Sequence, residues 1–286
     1  MKNKHKALGE KVQAVFNAMS RRNTGARQVI DDLMQLACNL ITEPAFIPRA
    51  FKNTLYCYRD GFRNELSHYK EEPKAWALLQ ELYFDYQRAI LDNEPFTDIV
   101  GMMYDENIGK NDMGQFLTPP DLANNLMPFL IGAVAPKITE PTRIGDICGC
   151  GAGSLILGQI KGFIQGQGEE VAKHLHVVGV DLDVRMVRMT TAQVVLSSIF
   201  HRIPLGSFTS YRANAITEFG YTAEEDEKNL AYFWRPEVPN DEYFKAIFAK
   251  ELHALEQITD RWKSERKEEV TTVQINGVVK DTEIVI

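Results

Sequence analysis

The 286-residue sequence contains no long apolar run and only four cysteines. No stretch approaches the roughly 18 consecutive apolar residues of a membrane-spanning helix, so we expect no transmembrane segment and no membrane partner. A basic start, residues 1–6, is followed by no apolar stretch, and we therefore expect no signal peptide. The cysteines are too few and too unevenly spaced for a disulfide framework, which favours a reducing, cytoplasmic location. They are Cys38, Cys57, Cys148 and Cys150.

The composition is otherwise that of an ordinary globular protein, with 44% apolar and 25% charged residues. The length corresponds to about two domains. Apolar residues recur three and four positions apart between Val12 and Met19, between Val29 and Leu40, and from about Trp76 to Leu91. This periodicity predicts a helical, basic N-terminal domain over residues 1–100.

The formal net charge of −7 is distributed unevenly along the chain. Residues 1–70 hold 12 lysines and arginines against 6 aspartates and glutamates, whereas residues 71–286 hold 20 against 33. A basic segment can bind phosphate locally in an acidic protein, but a charged helix face is also typical of a solvated surface. Both interpretations stay open at this point. If the segment binds nucleic acid, we expect Arg21, Arg22 and Arg27 to contribute.

Beyond residue 110 the pattern changes to alternating helices and strands. Thr118-Pro119-Pro120-Asp121 is typical of a helix start, with threonine as the N-cap. The order of elements predicts an α/β fold, with a parallel sheet covered by helices, in a second domain over residues 101–286. The predicted elements are strands at Arg143–Asp146, His176–Asp181 and Asn229–Trp234, helices at 155–165, 184–200 and 241–267, and a C-terminal β-hairpin turning at Asn276-Gly277.

A glycine-rich loop and a carboxylate follow two successive predicted strands. Gly149, Gly151 and Gly153 lie between a strand and a helix, where glycine lets a ligand approach the backbone and the helix start offers unpaired N–H groups. The spacing is close to the dinucleotide pattern G-x-G-x-x-G but differs from it. Asp181 ends the next strand, where a carboxylate suits the two hydroxyls of a ribose. The simpler alternatives are a tight turn for the glycines and a helix N-cap for Asp183.

Four motifs in this order resemble those of adenine-N6 DNA methyltransferases, most closely the modification subunits of type I restriction systems and their phage and plasmid relatives. They are Gly114-Gln-Phe-Leu-Thr-Pro119, Asp146-Ile-Cys-Gly-Cys-Gly151, Val178-Gly-Val-Asp181 and Arg212-Ala-Asn-Ala-Ile-Thr217. The segment Asp98–Tyr104 is also similar, so the resemblance covers about residues 95–220. It implies a Rossmann-like methyltransferase fold that uses S-adenosyl-L-methionine as its cofactor.

The resemblance also implies which residues hold the cofactor. One group would contact its methionine end, a second would form the floor under the sulfonium and amino acid, Asp181 would hold the ribose hydroxyls, and Asn214 would lie near the adenine. The first group consists of Phe116, Thr118 and Pro119, and the second of Asp146, Cys148, Gly149 and Gly151.

The sequence lacks the tetrad Asn/Asp-Pro-Pro-Tyr/Phe with which this family holds the acceptor base. In that tetrad a side-chain oxygen and a backbone carbonyl accept the protons of the adenine amine, and the aromatic ring stacks on the flipped base. The expected position falls at Tyr232–Glu237, where Arg235 offers only hydrogen-bond donors. Trp234 and Glu237 are conceivable substitutes, and residues 239–243 are a second loose candidate. The catalytic residues therefore stay unassigned.

Two functions from different classes follow. The first is a DNA adenine-N6 methyltransferase that acts on double-stranded DNA, with a specificity or regulatory subunit as a further partner. The second is a catalytically inactive protein of the same fold that binds the cofactor or DNA as a regulator, a restriction-evasion factor or a complex subunit. Methylation of RNA or protein is a weaker third hypothesis. We expect no metal, because Cys148 and Cys150 lack further ligands at suitable spacing, and we expect His174 and His176 to face solvent.

Overall fold

The computed structural model describes residues 2–20, 25–42, 56–57, 65–107, 118–220, 222, 226, 228–236 and 260. The elements in chain order are α1 (Lys2–Ala18), α2 (Ala26–Ile41), β1 (Tyr56–Cys57), α3 (Pro73–Asp92), α4 (Ile99–Asn107), α5 (Met127–Val134), β2 (Thr142–Asp146), α6 (Ser154–Gln167), β3 (Leu175–Asp181), α7 (Val184–His201), β4 (Ser207–Arg212) and β5 (Leu230–Trp234). A turn of π-helix, Leu122–Leu126, leads directly into α5. None of the helices described is long and apolar enough to cross a membrane.

The predicted α/β fold class is confirmed. The strands form one sheet in the order β1-β5-β4-β3-β2, and β2, β3 and β4 are parallel to one another. Parallel neighbours need a crossover, which α6 supplies between β2 and β3 and α7 supplies between β3 and β4. Whether this α/β unit is a Rossmann-like methyltransferase fold stays a prediction.

The two faces of the sheet are covered differently. In β3, Leu175 and Val177 belong to the apolar core that also contains α6 and α7 side chains. Val178 and Val180 belong to a separate small cluster with Ala213 and Phe219, which follow β4. This alternation is what a strand with two buried faces requires, because successive side chains point to opposite sides.

The N-terminal helices share the main core with the sheet. Side chains from α1 to α4 and from α6 and α7 form one continuous apolar cluster. Helices α2 and α3 pack against α7, and β1 pairs antiparallel with β5. The predicted helices of the first hundred residues are thus confirmed, whereas the predicted domain boundary at residue 100 stays a prediction.

Two predictions about the sheet need correction or completion. The strand Asn229–Trp234 forms, but β5 runs antiparallel to β4, so the sheet is mixed and not wholly parallel. Strand β4 was not predicted, because its inward-facing Ser210 breaks the expected apolar alternation. That serine is buried and exchanges a hydrogen bond with Thr191 of α7, Oγ to Oγ1, at 3.0 Å. The hairpin at Asn276-Gly277 and nearly all of the helix at 241–267 lie outside the described residues.

Candidate functional site

The carboxyl ends of β2, β3 and β4 meet at one edge of the sheet. Asp146 ends β2, Asp181 ends β3 and Asn214 follows β4 by two residues. The register pairs Asp146 with Gly179 and Asp181 with Arg212, so the three strand ends are adjacent. In open α/β sheets, ligands bind at this edge. The structure therefore brings the predicted residues of the three motifs to one place.

Side chains of α7 hold the glycine loop between β2 and α6 by donating hydrogen bonds to its carbonyl groups. The hydroxyl of Thr190 on α7 donates to the carbonyl oxygen of Gly151 at 2.8 Å, and the side-chain amide of Gln193 donates to that of Ala152 at 2.9 Å. Gly149 and Gly153 have φ of +116° and +91°, a region that favours glycine. A Cβ on Gly153 would lie 3.0 Å from the Thr190 methyl group. The loop is thus a close-fitting turn that leads into the N–H groups of the first turn of α6.

Asp181 is the centre of the site. Its Oδ2 accepts the N–H of Gly151 in the glycine loop at 2.9 Å, and its Oδ1 accepts the N–H of Asp183 at 2.8 Å. Burial raises the pKa of this half-buried carboxyl, the two N–H groups lower it, and the charges of Asp183 and Asp146 raise it further. Each oxygen keeps a second lone pair, so the carboxylate can still accept hydrogen bonds from a diol.

Asp183 is the N-cap of α7, which is the structural role that the sequence analysis gave as the alternative for it. Its Oδ1 accepts the N–H of Arg185 at 2.9 Å and so caps α7. The Arg185 guanidinium pairs with this carboxylate at 2.5 Å and reaches Asp31 of α2 at 3.9 Å. Tyr104 donates its hydroxyl to Asp31 at 3.0 Å. These contacts connect the carboxyl edge to the N-terminal helices.

The remaining predicted contacts have distinct environments. Asn214 accepts the N–H groups of Ile216 and Thr217 through its own Oδ1, at 2.9 and 3.3 Å, which fixes the turn after β4 and leaves its amide group for a ligand. Cys148 is exposed and its N–H donates to Oδ1 of Asp146 at 3.0 Å. Cys150 is buried, and burial raises the pKa of its thiol to about 12. Within the described residues no group of three or more His, Cys, Asp or Glu side chains is suited to a metal ion.

Thr118 and Pro119 are positioned by the packing of the π-turn and α5 on α6. Glycines of α6 let it pack closely against the π-turn and α5. A Cβ on Gly158 would meet the Ala123 carbonyl oxygen at 2.6 Å, and one on Gly162 would meet the Ile131 Cβ at 2.7 Å. Because the contacts advance along both helices in the same direction, the Thr118–Pro119 segment lies towards the start of α6. The helix begins at Pro120, and the backbone carbonyl of Pro119 accepts the first N–H groups. Phe116 lies outside the described residues.

Three large apolar side chains are exposed where the parallel strands end. Ile147 follows β2 and is 49% exposed, Leu182 follows β3 and is 56% exposed, and Ile216 after β4 is 78% exposed. Exposed apolar side chains that share one edge with polar groups are typical of a ligand site. The sequence analysis did not single them out as contacts, although Ile147 and Ile216 lie within two of the quoted motifs and Leu182 directly follows a third.

The predicted acceptor segment lies at the other edge of the sheet. Because β5 is antiparallel, Trp234 pairs with Phe208 near the start of β4, and Arg235 follows at that amino edge. Trp234 is 1% exposed and packs in the core, so it has no free face for a base. This contradicts Trp234 as a stacking residue beside the cofactor site. Glu237 and residues 239–243 lie outside the described residues.

Asp98 is the site-related residue whose role sequence reasoning missed. It is fully buried, and it accepts hydrogen bonds from Ser154 of α6 at 2.5 Å, Gln193 of α7 at 2.9 Å and the N–H of Gly101 at 2.8 Å. Burial raises the pKa of its carboxyl, and the three donors lower it. The available signal was the spacing Asp98-x-x-Gly101. In the structure, a Cβ at Gly101 would clash with the Asp98 carboxylate.

Comparison with known proteins identified no relative: no family model, no curated protein and no solved structure matches the chain.

Proposed function

We propose that the carboxyl edge of β2, β3 and β4 binds S-adenosyl-L-methionine. The observation that carries this proposal is the contact between Asp181 and the glycine loop: a single carboxylate fixes the loop through Gly151 and keeps lone pairs for the two ribose hydroxyls. Exposed Leu182 and Ile216 supply apolar surface for an adenine ring, and the amide of Asn214 supplies donors.

The charge of the site favours this cofactor over a dinucleotide. The charge of Asp146 raises the pKa of Asp181. Of the arginines near this edge, Arg185 is paired with Asp183, and Arg212, the register partner of Asp181, donates to the carbonyl oxygen of Leu182. A pyrophosphate would be repelled by two carboxylates at this edge, whereas S-adenosylmethionine carries a positive sulfonium and a positive ammonium group. The glycine spacing, which departs from the dinucleotide pattern, points the same way.

For the reaction, we propose transfer of the cofactor's methyl group to the N6 amine of an adenine flipped out of double-stranded DNA. The amine attacks the methyl carbon, the carbon–sulfur bond breaks, S-adenosylhomocysteine leaves, and the amine loses a proton. Four motifs in family order support this reaction. The residues that accept the amine protons are not assigned, because Arg235 and Trp234 belong to the amino edge.

A second candidate is a catalytically inactive relative that keeps the cofactor site and acts as a regulator, a restriction-evasion factor or a complex subunit. The direction of β5 favours it. In the described residues, the strand that precedes the expected acceptor position carries its C-terminal end away from the cofactor edge.

DNA as the partner rests on the basic N-terminal segment. Arg21 and Arg22 lie outside the described residues. Arg27 is half-buried and close enough to Asp31 to lower the pKa of that carboxyl. The positive charge of Arg27 therefore interacts partly with Asp31 inside the protein. We therefore expect Arg21→Ala with Arg22→Ala to reduce the salt dependence of DNA binding more than Arg27→Ala does. An equal slope for both variants and the unchanged protein would exclude the segment as a DNA contact.

The experiment that separates the two candidates is incubation of the protein with methyl-labelled cofactor and double-stranded DNA, followed by mass spectrometry of the nucleosides. Labelled N6-methyladenine, lost in Asp181→Ala, establishes the methyltransferase. Cofactor binding without labelled base establishes the inactive candidate. Label found instead in added RNA or protein would replace DNA as the substrate. Absence of cofactor binding would refute the proposal as a whole.

A further inference from the structure

Asp98 connects three other segments around the proposed site to the start of α4, through its buried carboxylate and its backbone N–H. Its side chain accepts hydrogen bonds from α4, α6 and α7, and its own N–H donates to Oδ1 of Asn124 in the π-turn at 2.8 Å. Gln193, which donates to Asp98, also donates to the carbonyl oxygen of Ala152 in the glycine loop. Asp98 therefore contacts, directly or through one residue, both walls of the site.

These two walls have no covalent connection close to the site. The Thr118–Pro119 segment leads into the π-turn that carries Asn124, whereas the glycine loop leads into Ser154 at the start of α6. The helix pair aligns them along its axis through the close approach at Gly158 and Gly162, but helices in contact can still slide or tilt. Directed hydrogen bonds to one buried group remove this freedom.

The donors that meet Asp98 are all neutral: a hydroxyl, a side-chain amide and a backbone N–H. Burial of a carboxyl group is costly unless its oxygens accept hydrogen bonds, so these three donors keep Asp98 in its place. We infer that Asp98 is a positioning residue of the cofactor site, which holds the glycine loop and the Thr118–Pro119 segment at a fixed separation around the methionine end of the cofactor. This inference rests on the proposed cofactor site.

The test compares two ligands in the full-length chain. Titrations with S-adenosylmethionine and with adenosine are measured for the unchanged protein, Asp98→Ala and Asp98→Asn. We expect Asp98→Ala to weaken S-adenosylmethionine binding about tenfold or more and adenosine binding less than twofold, since only the first ligand reaches the methionine end. Asp98→Asn keeps an oxygen for Gln193 and Gly101, so we expect it to restore most of the affinity. Equal losses for both ligands, or no loss, would overturn the inference.

A second measurement keeps the test independent of how well Asp98→Ala folds. Ser154→Ala removes a single hydrogen bond to Asp98, and Ser198→Ala is the matched control, a buried serine of α7 that bonds the carbonyl of Ile203. In hydrogen exchange, Ser154→Ala should speed exchange in residues 118–126 and 148–157 together, and Ser198→Ala in neither. If the two segments do not respond together, Asp98 does not couple them. Should the unchanged protein bind neither ligand, the proposed function fails, while the exchange data still decide the coupling.

Discussion

The two edges of the parallel strands differ in what they offer a ligand. At the carboxyl edge, a glycine loop, two carboxylates and three exposed apolar side chains follow β2, β3 and β4 in succession. At the amino edge, His176 bonds the Ser207 hydroxyl at 2.8 Å and Trp234 packs into the core. The polar groups at the carboxyl edge keep hydrogen-bonding capacity for a ligand. The groups named at the amino edge are hydrogen-bonded to each other or packed in the core. The carboxyl edge therefore carries the groups of the proposed cofactor site, whereas in the described residues the predicted acceptor segment does not lie beside it.

The largest effect is expected from a large side chain at the glycine contact between α5 and α6. Gly162→Leu places a side chain where a Cβ already meets Ile131 Cβ at 2.7 Å and the Pro128 carbonyl oxygen at 2.8 Å. Overpacking of this kind costs about 3 kcal/mol in the free energy of unfolding. Denaturant unfolding measures the loss.

The matched control on the same helix pair is Ala133→Leu, since Ala133 is exposed on α5. It should change the free energy of unfolding by less than about 0.5 kcal/mol. Similar losses in the two variants would show that α5 and α6 are not packed through their glycines.

A somewhat smaller effect on stability is expected at Asp31, through which the N-terminal helices contact the carboxyl edge. Burial raises the pKa of Asp31 from 3.8 to about 6. The folded protein holds this proton more tightly than the unfolded chain does. Protonated Asp31 therefore adds to the free energy of unfolding below about pH 4, and this contribution is lost as the pH rises to about 6. The loss amounts to roughly 2–3 kcal/mol.

Asp31→Asn removes this titration but keeps an oxygen for the Tyr104 hydroxyl. Unfolding at pH 4 and pH 7 should therefore show the stability of the variant, relative to the unchanged protein, rising by roughly 2 kcal/mol with pH. Exposed Glu140, changed to Gln, serves as the control and should give no such rise. A constant difference for Asp31→Asn would contradict the burial of the Asp31 carboxyl.

The smallest effect is expected at the amino edge. Arg235→Ala should alter cofactor affinity and methyl transfer by less than twofold, because β5 carries this residue away from Asp181. Isothermal titration and the labelled-methyl assay check it. A loss of tenfold or more in either would mean that Arg235 lies at the cofactor edge, and the comparison between the two edges would fail.

Much of the carboxyl edge could be predicted from sequence because its signals are local. Glycines between an apolar strand and a helix, and an acid at the end of the next strand, each depend on a few adjacent residues. The direction of β5 could not be predicted, since it depends on whether the chain after β4 starts the next strand at the same edge of the sheet or crosses to the other edge, and β5 starts at the same edge. The role of Asp98 was hidden for a similar reason: its partners Ser154 and Gln193 lie 56 and 95 residues away. Strand β4 was missed because its buried Ser210 is satisfied by Thr191.

The most direct test of the cofactor site is calorimetric titration of S-adenosylmethionine into the unchanged protein, Asp181→Ala and Glu140→Gln. The Asp181 carboxylate would accept hydrogen bonds from the ribose hydroxyls, each worth about 1.5–3 kcal/mol, and the loss of even one of them should weaken binding by at least about tenfold. Glu140→Gln, two residues before β2, should bind like the unchanged protein. No binding to the unchanged protein, or equal affinity in Asp181→Ala, would contradict the assignment of the carboxyl edge as a cofactor site.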